Sequence, residues 1–245
     1  MRKIFIGYDE RQPVSFTVLA QSIISQSKEP VSIIPLKLNT LPIKRCGLTP
    51  FTYSRFLVPF LCEFKGTALF LDVDIVLNAD ISELFKLFDP ECAIQVSKNT
   101  HKFEWASVML FNCEHPSNKV LTPDVVESHA DLHRIGWLKP EEIGDLPREW
   151  NQLVGYDEPN KTAKLIHYTQ GVPAYPETVG EEHSDLWHQW HQYSNYTQPW
   201  ESLMGGSIHA VQVNDKKLPK FLFDLEKQQP KPEHAEHVRK IMSAA

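Results

Sequence analysis

The sequence predicts an α/β fold in which a mostly parallel, Rossmann-like central sheet is flanked by helices. Short apolar segments of strand length alternate along the chain with segments whose apolar residues recur at helical spacing. Several strand segments are apolar at successive positions, as expected for strands buried on both faces of a parallel sheet. The chain has 245 residues, 42% of them hydrophobic, which is enough for one large domain or two small ones.

The elements follow one another in a regular order. Residues 3–8 predict the first strand, and residues 13–27 predict a helix with Pro13 in its first turn. A second helix is predicted over 49–64, interrupted near Pro59 because proline disrupts a helix interior. The polar segment 114–160 indicates short helical pieces. The remaining strands are predicted at 31–36, 67–77, 91–96, 107–112 and 164–169.

The last 30 residues differ from the rest in composition. From Lys216 onwards the chain is rich in Lys, Gln, Pro and His, with one short amphipathic piece near 233–243. We expect one domain over 1–215 and a peripheral helical tail over 216–245.

Charge and cysteine content restrict the partners and the compartment. The net charge of −6 argues against binding nucleic acid through a general basic surface. No apolar run approaches the roughly 20 residues that span a bilayer, and the N-terminus is typical of a first strand. The four cysteines lack metal-ligand spacing, and three of them lie in apolar surroundings. We therefore expect buried free thiols and a cytoplasmic location; the three are Cys62, Cys92 and Cys113.

Two aspartates interrupt the predicted strand 67–77. Strand alternation puts Asp72 and Asp74 on one face and Val73 on the other, near the carboxyl end of a central strand. Ligands bind at that edge in open α/β sheets. Two neighbouring carboxylates repel each other, and a divalent cation such as Mg²⁺ or Mn²⁺ removes the repulsion. Two solvated aspartates on an edge strand remain an alternative, since the spacing alone is a weak signal.

A third aspartate nearby has a structural explanation. Asp80 and Glu83 have the spacing of a capping box before the apolar residues of a short helix. We therefore expect Asp80 to start this helix and do not count it as a metal ligand.

Six blocks of the chain, spread in order over residues 3–175, resemble the glycogenin-like retaining glycosyltransferases of family eight and their bacterial and phage relatives. The central block matches their apolar strand, DxD pair and following helix start. The blocks are IFIGYDERQP (4–13), FTYSRFLVPFL (51–61), LFLDVDIVLNADISELF (69–85), WASVMLFNC (105–113), LPREWNQLVG (146–155) and LIHYTQGVPAY (165–175).

The resemblance implies a GT-A-type domain that transfers a hexose from a nucleotide-diphosphate sugar, a UDP-sugar in the relatives, with retention of configuration. The acceptor would be a hydroxyl of a carbohydrate or glycoconjugate. Asp72, Asp74 and His167 match the residues that hold Mn²⁺ or Mg²⁺ on the donor diphosphate.

The same resemblance assigns the remaining site residues. Donor contacts are implied for Tyr8, Asp9, Arg55, Val73 and Gly171, with Tyr8 and Asp9 at the uracil or ribose. Catalytic positions near the sugar are implied for Arg55, Asn112 and Asn151, whereas Trp150 packs under the site or belongs to the core.

One position departs from the related pattern. In the relatives this last block carries a lysine, after the glycine, that binds the diphosphate. In this chain Pro173 takes the position of that lysine, and the block reads HYTQGVPAY (167–175). A non-catalytic nucleotide-sugar-binding protein is therefore one alternative. A metal-dependent hydrolase or phosphotransferase that uses Asp72 and Asp74 is another.

Overall fold

The computed structural model describes residues 1–194, which form two sheets and six α-helices. The predicted boundary at 215 and the tail over 216–245 lie outside the described residues. The helices are α1 (Pro13–Gln26), α2 (Phe51–Ser54), α3 (Val58–Leu61), α4 (Ser82–Phe85), α5 (Pro123–Ser128) and α6 (Ser184–Ser194). The strands are β1 (Arg2–Gly7), β2 (Val31–Leu36), β3 (Thr67–Leu71), β4 (Ile75–Leu77), β5 (Ile94–Val96), β6 (Val108–Asn112), β7 (Ile143–Asp145), β8 (Gln152–Leu153) and β9 (Leu165–His167).

The main sheet has the strand order β2-β1-β3-β6-β5-β7. Strand β1 runs parallel to β2 and β3, and β5 runs parallel to β7, whereas β6 is antiparallel to both of its neighbours. Five of the six strands therefore run in one direction, which confirms the predicted mostly parallel sheet. Because of this direction, β1, β2, β3 and β5 all end at the same edge.

A smaller sheet of order β4-β9-β8 continues from the main one. Strand β4 is antiparallel to β9, and this register places Ile75 opposite His167. Helix α1 packs against β4 and α6. The small sheet thus places β9, and with it His167, next to the segment that follows β3.

The prediction of one continuous strand over 67–77 is wrong, because the structure has two strands there. Strand β3 ends at Leu71, a turn follows at Val73 and Asp74, and β4 begins at Ile75 in the other sheet. The amide of Asp72 donates to the carbonyl of Ser107 over 2.9 Å, while the carbonyl of Asp74 accepts from Tyr168 over 2.9 Å. Each aspartate is thus tied to a different sheet, and strand alternation does not explain why they are close.

The predicted helix over 49–64 forms three short pieces, with a 3-10 turn at Arg55–Leu57 between α2 and α3. Pro59 lies in the first turn of α3. It has no amide hydrogen, so it cannot donate to the carbonyl of Arg55, four residues before it. The break therefore falls just ahead of the proline, and it places Arg55 in a turn beside β3.

The polar segment 114–160 contains more strand than predicted. Besides α5 and several 3-10 turns, it forms β7 and β8, neither of which was predicted. Each of these strands has two or three residues, too few for a periodic pattern to be visible in the sequence.

The helix predicted after Asp80 is present, but it begins at Ser82 with Ile81 at its N-cap, and Glu83 pairs with Lys164 at 3.2 Å. One oxygen of Asp80 accepts from the amide of Ser82 over 3.0 Å, and the other accepts from the Ser82 hydroxyl over 2.8 Å. Its carboxylate therefore serves the first turn of α4.

Burial divides the cysteines differently from the prediction. The thiols of Cys62 and Cys113 are buried, that of Cys92 is partly buried and that of Cys46 is exposed, and all four are free. Within residues 1–194, no helix has the length and apolar character needed to cross a membrane.

Gly7 ends β1 in a position without space for a side chain. A Cβ atom there would lie 2.4 Å from Cγ of Phe51. We expect Gly7→Ala to lower the free energy of unfolding by about 1–3 kcal/mol, because overpacking displaces the buried Phe51 ring. Urea unfolding measures this difference.

Gly180→Ala is the matched control, since a Cβ at Gly180 meets no atom within 4 Å. Equal stability of the two variants would show that the contact between Gly7 and Phe51 is not tight.

Candidate active site

Three predicted metal ligands meet at the carboxyl edge of the main sheet. Asp72 follows β3, Asp74 precedes β4, and His167 ends β9. One ligand atom of each lies within 4.8 Å of the other two. His167 is buried, Asp72 is nearly so, and Asp74 is partly exposed. The backbone bonds of Asp72 to Ser107 and of Asp74 to Tyr168 hold this arrangement. The three side chains therefore converge although 93 to 95 residues separate the histidine from the aspartates.

The buried ligand atoms of the cluster lie close to opposite charges but form no hydrogen bond of good geometry. Oδ1 of Asp72 lies 2.9 Å from Nη1 of Arg55, Oδ1 of Asp74 lies 3.3 Å from Nε2 of His167, and Nδ1 of His167 lies 3.7 Å from Oε2 of Glu104. Buried polar atoms in folded proteins nearly always form well-aligned hydrogen bonds, so this group of atoms calls for an explanation. Carboxylate oxygens with one imidazole nitrogen form a donor set that accepts a divalent cation. The residues present therefore fit the metal that the sequence predicts.

Arg55 holds Asp72 from the other side. Its Nη1 lies 2.9 Å from Oδ1 of Asp72, and the same nitrogen donates to the carbonyl of Ala106 over 2.8 Å. Nε donates to the carbonyl of Phe51 over 3.3 Å. The guanidinium is almost completely buried, so these contacts fix its position and supply one positive charge next to the carboxylates.

Glu104 is a site residue that the sequence did not reveal. Its Oε2 lies 3.7 Å from Nδ1 of His167. It belongs to a 3-10 segment, Lys102–Ser107, that leads directly into β6. Because β6 is antiparallel to β3, the residues just before β6 reach the edge where β3 ends. An acidic residue ahead of a buried antiparallel strand was the available signal, but the strand's direction is not visible in the sequence.

Burial and mutual repulsion change the proton affinity of the cluster. Burial raises the pKa of Asp72 to about 7, although Arg55 acts in the opposite direction. Burial also raises the pKa of Glu104. For His167, burial lowers the pKa, but Asp74, Glu104 and Asp72 more than offset this effect and raise it to about 9. At neutral pH the protonated His167 and Arg55 therefore offset the carboxylates, and a divalent cation that binds His167 would replace the proton on its ring.

Tyr8 and Asp9 lie at the same sheet edge, directly after β1. A cavity of about 430 Å³ opens beside them and reaches Lys37, which follows β2. Asp9 is buried and bound by Arg11, whose Nε donates to it over 2.9 Å and whose Nη2 donates over 2.6 Å. These hydrogen bonds hold the pKa of Asp9 below its usual range. The carboxylate is therefore ionised and fixed at the wall of the cavity.

The asparagines predicted near the sugar are in different places. Asn151 is fully buried near the cluster, and its Nδ2 donates to Oγ of Ser107 over 3.0 Å, while its Oδ1 has no partner. Asn112 pairs with Thr67 at the start of β3 and donates to the carbonyl of Pro90 over 3.1 Å. It lies at the opposite end of the strand from Asp72, so the structure does not bring Asn112 into the site.

The remaining predicted residues surround the cluster or belong to the core. Val73 is buried in the turn between Asp72 and Asp74. Gly171 follows β9 with a φ of +117°, a conformation that favours glycine, and its amide donates to Tyr168 over 2.9 Å. Trp150 is a core residue with Nζ of Lys164 lying 5.2 Å from its ring centroid.

Comparison with known sequences places the chain in a family. No protein-family model matches it. Over 219 residues it is 36% identical to Protein CDI of Arabidopsis thaliana, an alignment that covers 76% of this chain and 84% of the plant protein. The chain belongs to the family of Protein CDI.

Solved structures with the same fold as this CDI-family chain are glycosyltransferases. The bifunctional glycosyltransferase WbbM gives a TM-score of 0.62 at 17% identity, over 83% of this chain and 51% of WbbM. GlyE of Streptococcus pneumoniae gives 0.61 at 15% identity, over 84% of this chain and 63% of GlyE. The galactosyltransferase LgtC, bound to donor and acceptor sugar analogs, gives 0.53 at 14% identity, over 81% of this chain and 98% of LgtC.

These similarities show that the CDI-family chain has a glycosyltransferase fold. The chain spans about half the length of WbbM and somewhat under two thirds of GlyE. The finer resemblance to the glycogenin-like retaining enzymes stays a prediction.

The two aspartates of the CDI-family chain should differ in their effect on the metal-free protein. We expect Asp74→Asn to change the free energy of unfolding by no more than about 0.5–1 kcal/mol, since Glu104 still faces His167. Asp72→Asn should be more destabilising, because it removes the anionic partner of the buried Arg55. Thermal melts in the presence of a chelator measure both.

If Mn²⁺ plus UDP stabilises the parent in the same melts, both variants should lose that stabilisation. For a ligand at 100 times its dissociation constant the effect is about 2.7 kcal/mol. An unchanged response in either variant would remove that aspartate from the candidate metal site.

Proposed function

We propose that this CDI-family chain is a metal-dependent hexosyltransferase that uses a nucleotide-diphosphate sugar, specifically a UDP-sugar. The hexose goes to a hydroxyl of a carbohydrate or glycoconjugate acceptor, with retention of configuration. The observation that carries the proposal is the convergence of Asp72, Asp74 and His167, whose ligand atoms lie within 4.8 Å of one another, at one edge of a glycosyltransferase fold.

The metal in this proposal is Mn²⁺ or Mg²⁺, held by Asp72, Asp74 and His167. When bound, such a cation neutralises the negative charge that develops on a departing diphosphate. Arg55 keeps Asp72 in position through its contact of 2.9 Å. Oε2 of Glu104 faces Nδ1 of His167 at 3.7 Å, beyond hydrogen-bond distance, which leaves Nε2 as the nitrogen for the metal.

The proposed nucleotide site is the cavity beside Tyr8. The Tyr8 ring supplies a flat apolar surface for uracil, and its edge-to-face contact with Phe16, at 5.5 Å between centroids, holds it in place. Both oxygens of Asp9 already accept from Arg11, but each carboxylate oxygen has a second lone pair for a ribose hydroxyl. The cavity volume of about 430 Å³ falls within the range of small-ligand sites.

The related lysine is absent from the block that contains Pro173, so another cation must face the diphosphate. Arg11, Lys37 and Lys44 all line the cavity beside Tyr8. We propose that Arg11 is the substitute, because its side chain is largely exposed. Nε and Nη2 of Arg11 donate to Asp9, and Nη2 also to the carbonyl of Leu48, so Nη1 is the nitrogen offered to a phosphate oxygen.

The sugar would lie between the metal cluster and Asn151, whose Oδ1 has no partner and can accept from a sugar hydroxyl. Attack by the acceptor hydroxyl on the face from which the nucleoside diphosphate leaves retains the anomeric configuration. Asn112 has no part in this proposal because it lies at the far end of β6.

The missing lysine also favours a second candidate, a nucleotide-sugar-binding protein without transferase activity. Such a protein would bind UDP with Mn²⁺ but would neither transfer nor hydrolyse the sugar. Donor hydrolysis over a panel of UDP-sugars, with and without Mn²⁺, separates the two functions.

The metal ligand His167 provides a test of the site. We expect His167→Ala to weaken Mn²⁺-dependent UDP binding by at least tenfold in calorimetry, because one of three protein ligands is lost. The matched control is His188→Ala in α6, which replaces a partly exposed histidine outside the cluster. If the parent binds no UDP at millimolar concentration with Mn²⁺ present, the proposed function is wrong.

A further inference from the structure

A second and larger cavity lies beside the metal cluster. Its volume is about 730 Å³, within the range of sites for small organic ligands. The residues that decide its chemistry are Lys98, Lys102, Trp105, His133, Arg134 and Leu138.

Two residues that line the cavity, Trp105 and His133, are next to or in contact with neighbours of the proposed active-site residues. Trp105 lies between Glu104, which faces His167, and Ala106, whose carbonyl accepts from Arg55. On the other wall, the His133 ring packs edge-to-face on Phe56, the residue after Arg55, at 5.2 Å between centroids.

The strand register places the cavity at the same edge as the aspartates. Val96 at the end of β5 pairs with Met109, which pairs with Phe70 of β3. Lys98 comes two residues after Val96, and Asp72 comes two residues after Phe70. Only β6 lies between their strands, β5 and β3. Two strand spacings amount to roughly 10 Å, a distance that one or two sugar units span.

The charge in this cavity is positive, although the whole chain carries −6. Three cations line it, and none of the described residues that line it has a carboxylate. Nζ of Lys98 donates to the carbonyl of Ile143 over 2.6 Å, which fixes the ammonium without neutralising it. Arg134 is 3.8 Å from Asp131, but both side chains are largely exposed and such a pair is weak.

His133 contributes a ring and no charge. Burial, together with Arg55 and Arg45 nearby, lowers the pKa of His133 to about 4. The positive charge of the cavity therefore comes from lysine and arginine, which stay protonated throughout the physiological pH range.

Trp105 supplies a fixed aromatic surface. Its Nε1 donates to the carbonyl of Asn99 over 3.1 Å, and Nζ of Lys102 lies 5.6 Å from the ring centroid. A flat apolar ring suits the C–H face of a pyranose, while the adjacent ammonium suits an acidic substituent on the same sugar.

We propose that this cavity binds the acceptor and that the acceptor is an acidic glycan, one that carries a carboxylate or a phosphate group. The inference rests on the proposed function, because only a transferase has an acceptor. It goes further because it names the class of acceptor. That class follows from the three cations that line the cavity around the indole of Trp105, beside the candidate metal ligands.

Calorimetry with three defined probes tests the inference. Trigalacturonic acid carries carboxylates, glucose 6-phosphate carries a phosphate, and maltotriose is neutral. We expect one of the two acidic probes to bind at least tenfold more tightly than maltotriose, with an affinity that falls as salt is raised from 50 to 500 mM because exposed charges are screened. Which acidic probe binds identifies the acidic group.

The double variant Lys102→Gln and Arg134→Gln locates the binding. Both side chains are exposed, so we expect the fold to be preserved and binding of the acidic probe to weaken at least tenfold. The matched control Lys119→Gln alters an exposed lysine in another 3-10 turn, Pro116–Val120, and should bind the probe like the parent. Equal binding by the double variant and the control would overturn the inference.

Binding of UDP with Mn²⁺ is measured in the same preparations. If the parent binds UDP with Mn²⁺ but prefers neither acidic probe to maltotriose, the acidic acceptor is wrong and the proposed function stands. If it binds an acidic probe but not UDP with Mn²⁺, the proposed function is wrong and the cavity is not an acceptor site.

Discussion

The contact between Arg55 and Asp72 is the interaction on which the site depends. A carboxylate buried at the end of a central strand is unfavourable unless a cation compensates it. Arg55 provides one positive charge at 2.9 Å, but Asp74 and Glu104 add negative charge to the same space, and burial still raises the pKa of Asp72 to about 7. In the metal-free protein the protonated His167, 3.3 Å from Asp74, supplies a second positive charge, and a divalent cation would take its place.

The architecture explains how such a cluster forms. The chain leaves the main sheet after β3 and enters the small sheet at β4, and the two aspartates lie at this crossing. The small sheet brings His167 to the crossing from one side, while the antiparallel strand β6 brings Glu104 from the other. The strand ends that meet at this edge also form the two cavities, one beside Tyr8 and the other beside Trp105. In our proposal these hold the nucleotide and an acidic acceptor, with the metal between them.

The proposals separate into parts that different observations support. The family rests on 36% identity with Protein CDI, and the glycosyltransferase fold rests on similarity to WbbM, GlyE and LgtC. The proposed metal site rests on the convergence of Asp72, Asp74 and His167 within 4.8 Å. The proposal of an acidic acceptor rests on the positive charge of a cavity that no sequence motif predicted. Because the supports differ, the acidic acceptor can be wrong while the proposed transferase stands, although an acceptor site requires the transferase.

The sequence by itself determined the α/β class, the first helix and most strands, because apolar periodicity and turn residues act over short distances. It also predicted Asp72, Asp74 and His167 as one ligand set, through a resemblance that spans several blocks. Only the tertiary structure showed that the chain breaks between β3 and β4, that Glu104 lies beside His167, and that Asn112 lies away from the aspartates. Each of these depends on the direction in which β6 and β9 pair. Strand direction is set by contacts between distant parts of the chain, so no local pattern of residues specifies it.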